Sequence, residues 1–144
     1  MKLSTKCRYG ARAIIEIARS SKDKPVKRKT IVDNQQIPDS YLKNILISLK
    51  DAGLIKATRG SKGGYVLSRS SSEITFLEVI QALEGSLTLV DCVNEPGVCD
   101  RVDSCTTRDV WRKMTEAQEG VLSNITVKEL VEKEGKSKNV NYSI

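Results

Sequence analysis

The sequence predicts a mainly α-helical fold with one two-stranded β hairpin, on three observations. Leu42, Ile45, Leu46 and Leu49 recur at i, i+3, i+4 and i+7, which draws one apolar stripe along a helix over 39–52. Two short β segments, 54–58 and 65–67, flank Gly60-Ser61-Lys62-Gly63-Gly64, a run rich in the residue that turns require at positive φ. Val110, Met114, Ala117 and Val121 then alternate steps of four and three inside a long helix over 106–122, which is a coiled-coil-like seam.

The other elements follow in chain order. A first helix over 4–20 carries Tyr9, Ala13, Ile14, Ile17 and Ala18 at helical spacing, with Ser4 or Thr5 as its cap. A short second helix over 27–35 points Ile31 inward. Ile37-Pro38-Asp39 makes a tight turn, with Asp39 expected to accept the first-turn amides of the third helix. Gly53 ends that helix in a left-handed conformation. A helix over 75–83 shares Phe76, Val79, Ile80 and Leu83 on one face and stops at Gly85. The stretch 86–104 is a loop, and Trp111 flanks the seam that follows it. Thr126 and Glu129 form a capping box for a last short helix. The expected organisation is a body over 1–70, a second part over 71–134 with the cysteine loop and a dimerising helix, and a frayed tail over 135–144.

Composition narrows the function. The chain has 144 residues and no stretch apolar enough to cross a membrane. The opening residues lack the apolar core of a secretory signal, so a cytoplasmic location is expected. Net charge is +6, unevenly spread: residues 1–69 hold 16 basic and 5 acidic side chains, residues 70–144 hold 8 and 13. A basic front half implies a polyanionic partner, because Lys and Arg on phosphates release condensed counterions. Histidine is absent. Neither a nucleophile–base pair nor a phosphate loop is present, so an enzyme and a small-molecule substrate are disfavoured.

Two helices joined by a tight turn, the second amphipathic and followed by a glycine-rich hairpin, constitute a winged helix-turn-helix. Its second helix fits a DNA major groove about 12 Å wide, where outward side chains reach base edges. Here those are Ser40, Tyr41, Lys43 and Asn44. Arg59 beside Gly60 at the hairpin tip suits a narrow minor groove, and the glycines of the tip, Gly64 included, allow close backbone approach. Lys62, Ser4 and Lys6 are candidates for phosphate contacts that position without reading sequence. A winged-helix protein-interaction module without DNA is the competing reading; it leaves the arginine and lysine at the hairpin tip unexplained.

The opening Met1-Lys2-Leu3-Ser4-Thr5-Lys6-Cys7-Arg8-Tyr9-Gly10 resembles the start of the Rrf-two superfamily of bacterial transcriptional regulators. So do Tyr41-Leu42, Leu49-Lys50-Asp51-Ala52-Gly53-Leu54 and Arg59-Gly60-Ser61-Lys62-Gly63-Gly64-Tyr65, and the resemblance extends to about residue 133. It implies a homodimer that crosses long C-terminal helices, in agreement with the seam.

Cys92, Cys99 and Cys105 enclose six and then five residues of the loop. Thiolates so spaced can converge on one soft centre, an iron–sulfur cluster or zinc, or sense oxidation directly. The IscR-like and NsrR-like branches of the superfamily use three cysteines of this loop as cluster ligands, so the resemblance implies an iron–sulfur cluster, [2Fe-2S] rather than [4Fe-4S], with zinc as the alternative. The chain departs from those branches in three ways. The first spacing is one residue longer, Arg108 stands where IscR-like proteins carry a histidine ligand, and Arg8 stands where NsrR-like proteins carry an acidic one. Cys7 of the partner subunit, an Asp or Glu of the loop (Asp91, Glu95, Asp103) or an exogenous ligand are the candidates for the fourth position. A small buried thiol on the first helix is the other reading of Cys7. The function implied is a DNA-binding repressor that controls cluster biogenesis. A nitric-oxide or redox sensor, and a zinc, thiol or partner-controlled regulator of cysteine metabolism, are the alternatives.

Overall fold

A computed structural model describes residues 2–20 and 23–141. Among them run helices α1 (Thr5–Ala18), α2 (Arg28–Gln35) and α3 (Asp39–Asp51), strands β1 (Ile55–Thr58) and β2 (Gly64–Leu67), and helices α4 (Phe76–Glu84), α5 (Thr106–Ser123) and α6 (Val127–Asn141). Single 3-10 turns lie at Asp91–Val93 and Pro96–Val98. The fold is a mainly α winged helix-turn-helix, as the periodicities predict.

Local chemistry sets the boundaries. The Ser4 hydroxyl accepts the Cys7 amide at 3.0 Å and opens α1. α2 stops at Gln36, which takes φ 51° and ψ 48° without being glycine. α3 starts differently from expectation. Its cap is Pro38, whose carbonyl accepts the Tyr41 and Leu42 amides at 3.0 Å each. Asp39 therefore sits one residue inside the helix, and its carboxylate takes Arg28 Nε at 2.8 Å instead of capping. At the far end Gly53 adopts φ 74°. The Leu54 amide reaches the Leu49 carbonyl at 3.0 Å and the Gly53 amide the Lys50 carbonyl at 2.9 Å, a complete Schellman closure that needs glycine in the left-handed position.

β1 and β2 pair antiparallel, Ile55 opposite Leu67 and Thr58 opposite Gly64. Val26 extends this wing by one bridge, exchanging hydrogen bonds with Tyr65 at 2.8 and 2.9 Å. Of the tip glycines only Gly60 has positive φ. Gly64 is needed for another reason: a Cβ there would lie 2.5 Å from the Val26 carbonyl oxygen.

One hydrophobic core joins α1 (Ala13, Ile14, Ile17), α2 (Ile31), α3 (Leu42, Ile45, Leu46, Leu49), the wing (Ile55), α4 (Val79, Ile80, Leu83) and α6 (Val127). Each fully buried aliphatic side chain is worth about 1.5–3 kcal/mol relative to exposure, so α4 and α6 are integral to the body that presents α3. Backbone bonds fasten the start of α6: Phe76 N–H to Ile125 O at 2.7 Å and Val127 N–H to Ile74 O at 3.0 Å. α6 continues to Asn141, where the sequence implies a frayed tail from 135. Lys and Glu, good helix formers, carry it past Gly135. Residues 142–144 of the expected tail lie outside the described residues.

α5 contacts α4, and Thr115 is its one buried residue. The seam faces outward: Val110 is 49% and Val121 62% exposed.

Candidate functional site

Ser40, Tyr41, Lys43 and Asn44 all lie exposed on the first two turns of α3, opposite its buried stripe. Tyr41 is braced from behind. Its ring meets that of Tyr9 edge to face at 5.6 Å between centroids, and the Arg12 guanidinium lies 5.5 Å from the Tyr9 ring centroid. Arg59, Gly60, Ser61 and Lys62 are exposed at the wing tip. Gly64 is half-buried against the chain before α2, so its glycine requirement is met inside the protein.

The N-terminal candidates sit in a different environment from the expected one. The Ser4 hydroxyl caps α1 and helps to hold the Glu84 carboxylate, and the Ser4 backbone amide donates to Glu84 Oε1 at 2.6 Å. Lys6 is half-buried, and its charge helps to stabilise the Glu84 carboxylate. Lys27, Arg28 and Lys29 open α2 beside the Val26–Tyr65 bridge, with Lys27 and Lys29 exposed.

Cys7 is fully buried in the core. Burial pushes its thiol up to about 11, with the nearby Glu84 charge adding to the effect. This burial within its own subunit favours the reading of Cys7 as a small buried thiol.

The other three thiols are placed differently. Cys99 is exposed; Cys92 and Cys105 are half-buried. Cys105 is also the cap residue of α5. A hydrogen bond with the Thr107 hydroxyl, and then the Arg108 amide, hold its thiol below the ordinary value, as a helix N-terminus does for a thiolate. Arg108 cannot ligate a metal; its Nε donates to the Cys92 carbonyl at 2.9 Å and ties the first cysteine to α5. Asp91, Glu95 and Asp103 are exposed on the same loop. Three soft donors on one accessible loop, one of them favoured as thiolate, suit an iron–sulfur cluster chemically. Among the described residues, no three Cys, Asp or Glu side chains gather into a group that could hold a metal ion. The donors share a loop but not yet a centre. No helix among the described residues is long and apolar enough to cross a membrane.

Comparison with known proteins gives the family. The Rrf2 family, described as an iron-dependent transcriptional regulator, matches residues 3–133. The HTH-type transcriptional regulator IscR of Klebsiella pneumoniae (strain 342) is 37% identical over 131 residues, covering 91% of this chain and 80% of the relative. Among solved structures, T. potens IscR superposes with a TM-score of 0.76 at 31% identity, covering 95% of this chain and 90% of that one. CymR (YrzC), the global cysteine regulator of B. subtilis, superposes at 0.75 with 31% identity, covering 92% and 97%. The chain therefore belongs to the Rrf2 family of helix-turn-helix transcriptional regulators and is not an enzyme.

Proposed function

We propose that the chain is a cytoplasmic, homodimeric DNA-binding repressor of the IscR type. Its operator binding is set by an iron–sulfur cluster held through Cys92, Cys99 and Cys105, and its targets are genes of cluster biogenesis. The observation that carries this reading is the double role of Cys105, which is both the last thiol of the loop and the cap of α5. Arg108 ties the other end of the loop to the same helix. A change at the three thiols is thereby delivered to the start of the helix whose exposed seam is suited to pair two subunits. In a dimer, α3 helices must sit about one DNA turn apart, roughly 34–36 Å, so a small shift along α5 alters operator fit. The bound cluster would supply lability toward oxidants; the chain supplies the thiolates, the loop and the lever. The cluster type proposed, [2Fe-2S] rather than [4Fe-4S], is the one that the resemblance to IscR-like regulators implies.

On DNA, Ser40, Tyr41, Lys43 and Asn44 read base edges in the major groove. Asn44 pairs with adenine and Lys43 donates to guanine. Arg59 enters the adjacent minor groove and Lys62 holds phosphate.

The low thiol pKa of Cys105 and the open arrangement of the loop favour a second reading, direct thiol oxidation or zinc binding in place of a cluster. Anaerobic purification separates the two. A brown protein with iron and acid-labile sulfide, lost in Cys92→Ala, Cys99→Ala and Cys105→Ala, supports the cluster. A colourless protein with one zinc, or with reactive thiols and no metal, refutes it.

A further inference from the structure

Glu16 is the one buried charged side chain among the described residues, at 7% exposure. Its carboxylate accepts from Asn34 Nδ2 at 2.7 Å, from Gln35 Nε2 at 2.6 Å and from Arg19 Nη1 at 3.1 Å. Arg19 also pairs with Glu134 of α6. Asn34 and Gln35 are the last two residues of α2, directly before Gln36, the residue whose left-handed conformation makes the helix-turn-helix corner. A side chain with a Cβ is unfavourable there, so the corner persists only where its surroundings hold it. Gln35 carries a second link, because its Oε1 accepts from Arg12 Nε at 3.4 Å. Arg12 stacks toward Tyr9, and Tyr9 meets Tyr41 on the first turn of α3. A continuous path thus runs from the Glu16 carboxylate to the groove-reading end of α3. A buried ion pair is weak evidence for stability as such, since apolar replacements of similar volume are often as stable; its best-attested use is to fix one geometry.

We infer that Glu16 is a positioning residue for DNA recognition, its carboxylate holding Asn34 and Gln35 so that the Gln36 corner and the Arg12–Tyr9–Tyr41 stack aim α3. This rests on the reading of the exposed α3 face as the DNA-reading surface. It differs from that reading in locating a determinant of specificity about two helices away from any base.

The test uses the full chain. In E16Q, which keeps the shape but loses the charge and one acceptor, operator affinity falls by about tenfold, the effect of about 1.4 kcal/mol. Affinity for bulk competitor DNA and the salt slope stay within about twofold, because phosphate contacts are untouched. The φ of Gln36, read from NMR couplings and chemical shifts, leaves the left-handed region. Placing Q36G in the E16Q background restores most of the operator affinity, since glycine adopts the left-handed conformation without the Cβ penalty. Should E16Q fail to fold, E16D is measured in the same way. An unchanged Gln36 conformation, a parallel loss of specific and bulk binding, or no rescue by Q36G overturns the positioning role. Failure of the wild-type chain to prefer any operator, while Gln36 still responds to E16Q, instead refutes the DNA-reading surface itself and removes the role with it.

Discussion

The Glu84 carboxylate accepts the Ser4 backbone amide at 2.6 Å across a sequence separation of 80 residues. This bond fastens the end of α4, from which the cysteine loop departs, to the cap of α1. Ser4 serves both ends, since its hydroxyl caps α1 through the Cys7 amide. Ser4→Ala is expected to lower stability by about 1 kcal/mol, the usual loss of an N-cap oxygen. Urea unfolding followed by circular dichroism checks it, and a midpoint unchanged from wild type would deny the cap its contribution.

The same corner makes stability depend on pH at both extremes. The Ser4 side chain first, and then its backbone amide, hold the Glu84 carboxyl below its ordinary value of 4.5. A depressed folded pKa contributes stability above the unfolded value that is lost as pH falls through the folded one. Cys7 acts in the opposite direction, its thiol being raised from 9.0 to about 11. Its contribution is complete below pH 9.0 and disappears as pH rises toward about 11, where the buried thiol must ionise. Wild-type urea midpoints should fall over that alkaline window, and Cys7→Ala should flatten the fall.

Cys105 and Cys7 should differ sharply toward alkylation. The Thr107 hydroxyl, followed by the Arg108 amide, favours the Cys105 thiolate, whereas Cys7 is enclosed. In metal-free protein near neutral pH, mass spectrometry should find iodoacetamide on Cys105 early, and on Cys7 only after denaturation. Thr107→Val should slow the Cys105 reaction. Labelling of Cys7 at the same rate would contradict its burial.

The wing residues should separate reading from holding. Arg59 and Lys62 are both exposed at the tip. Arg59→Ala is expected to weaken operator binding and relax A·T preference beside the half-site. Lys62→Ala should reduce the salt slope by about one with little change in preference. Binding isotherms at several salt concentrations distinguish them, and equal effects from the two would dissolve the distinction.

The open seam of α5 predicts the assembly. Val110 and Val121 are large aliphatic side chains exposed on one helix. Val121→Asp should shift sedimentation from dimer to monomer while leaving the helical signal intact, because the side chain has few neighbours within its own chain. A dimer unaffected by charge at both Val110 and Val121 would move the subunit interface elsewhere.

Much of the fold was legible in the sequence because it is written in short-range patterns. The stripe from Leu42 to Leu49, the Gly53 stop and the Ser4 cap each depend on residues within two or three turns of one another. The candidate site was legible to the same depth: the side chains predicted to face outward on α3 and at the wing tip do so. Reasoning failed where a side chain had two chemically sensible uses. Asp39 could cap α3 or pair with Arg28, and Pro38 decided in favour of pairing. Ser4 and Thr5 could each cap α1, and Ser4 does so. Nothing local ranks those options.

Periodicity, capping and charge asymmetry, all properties of neighbouring residues, sufficed for the sequence alone to determine the winged helix-turn-helix, the exposed face of its second helix and the three-cysteine loop. Tertiary structure alone decided that α4 and α6 close the same core as α3, that Glu84 meets Ser4, and that Glu16 grips the corner before α3. Those contacts join residues far apart in the chain. Their partners are chosen by which surfaces the packed helices bring together, and no periodicity along the chain carries that information.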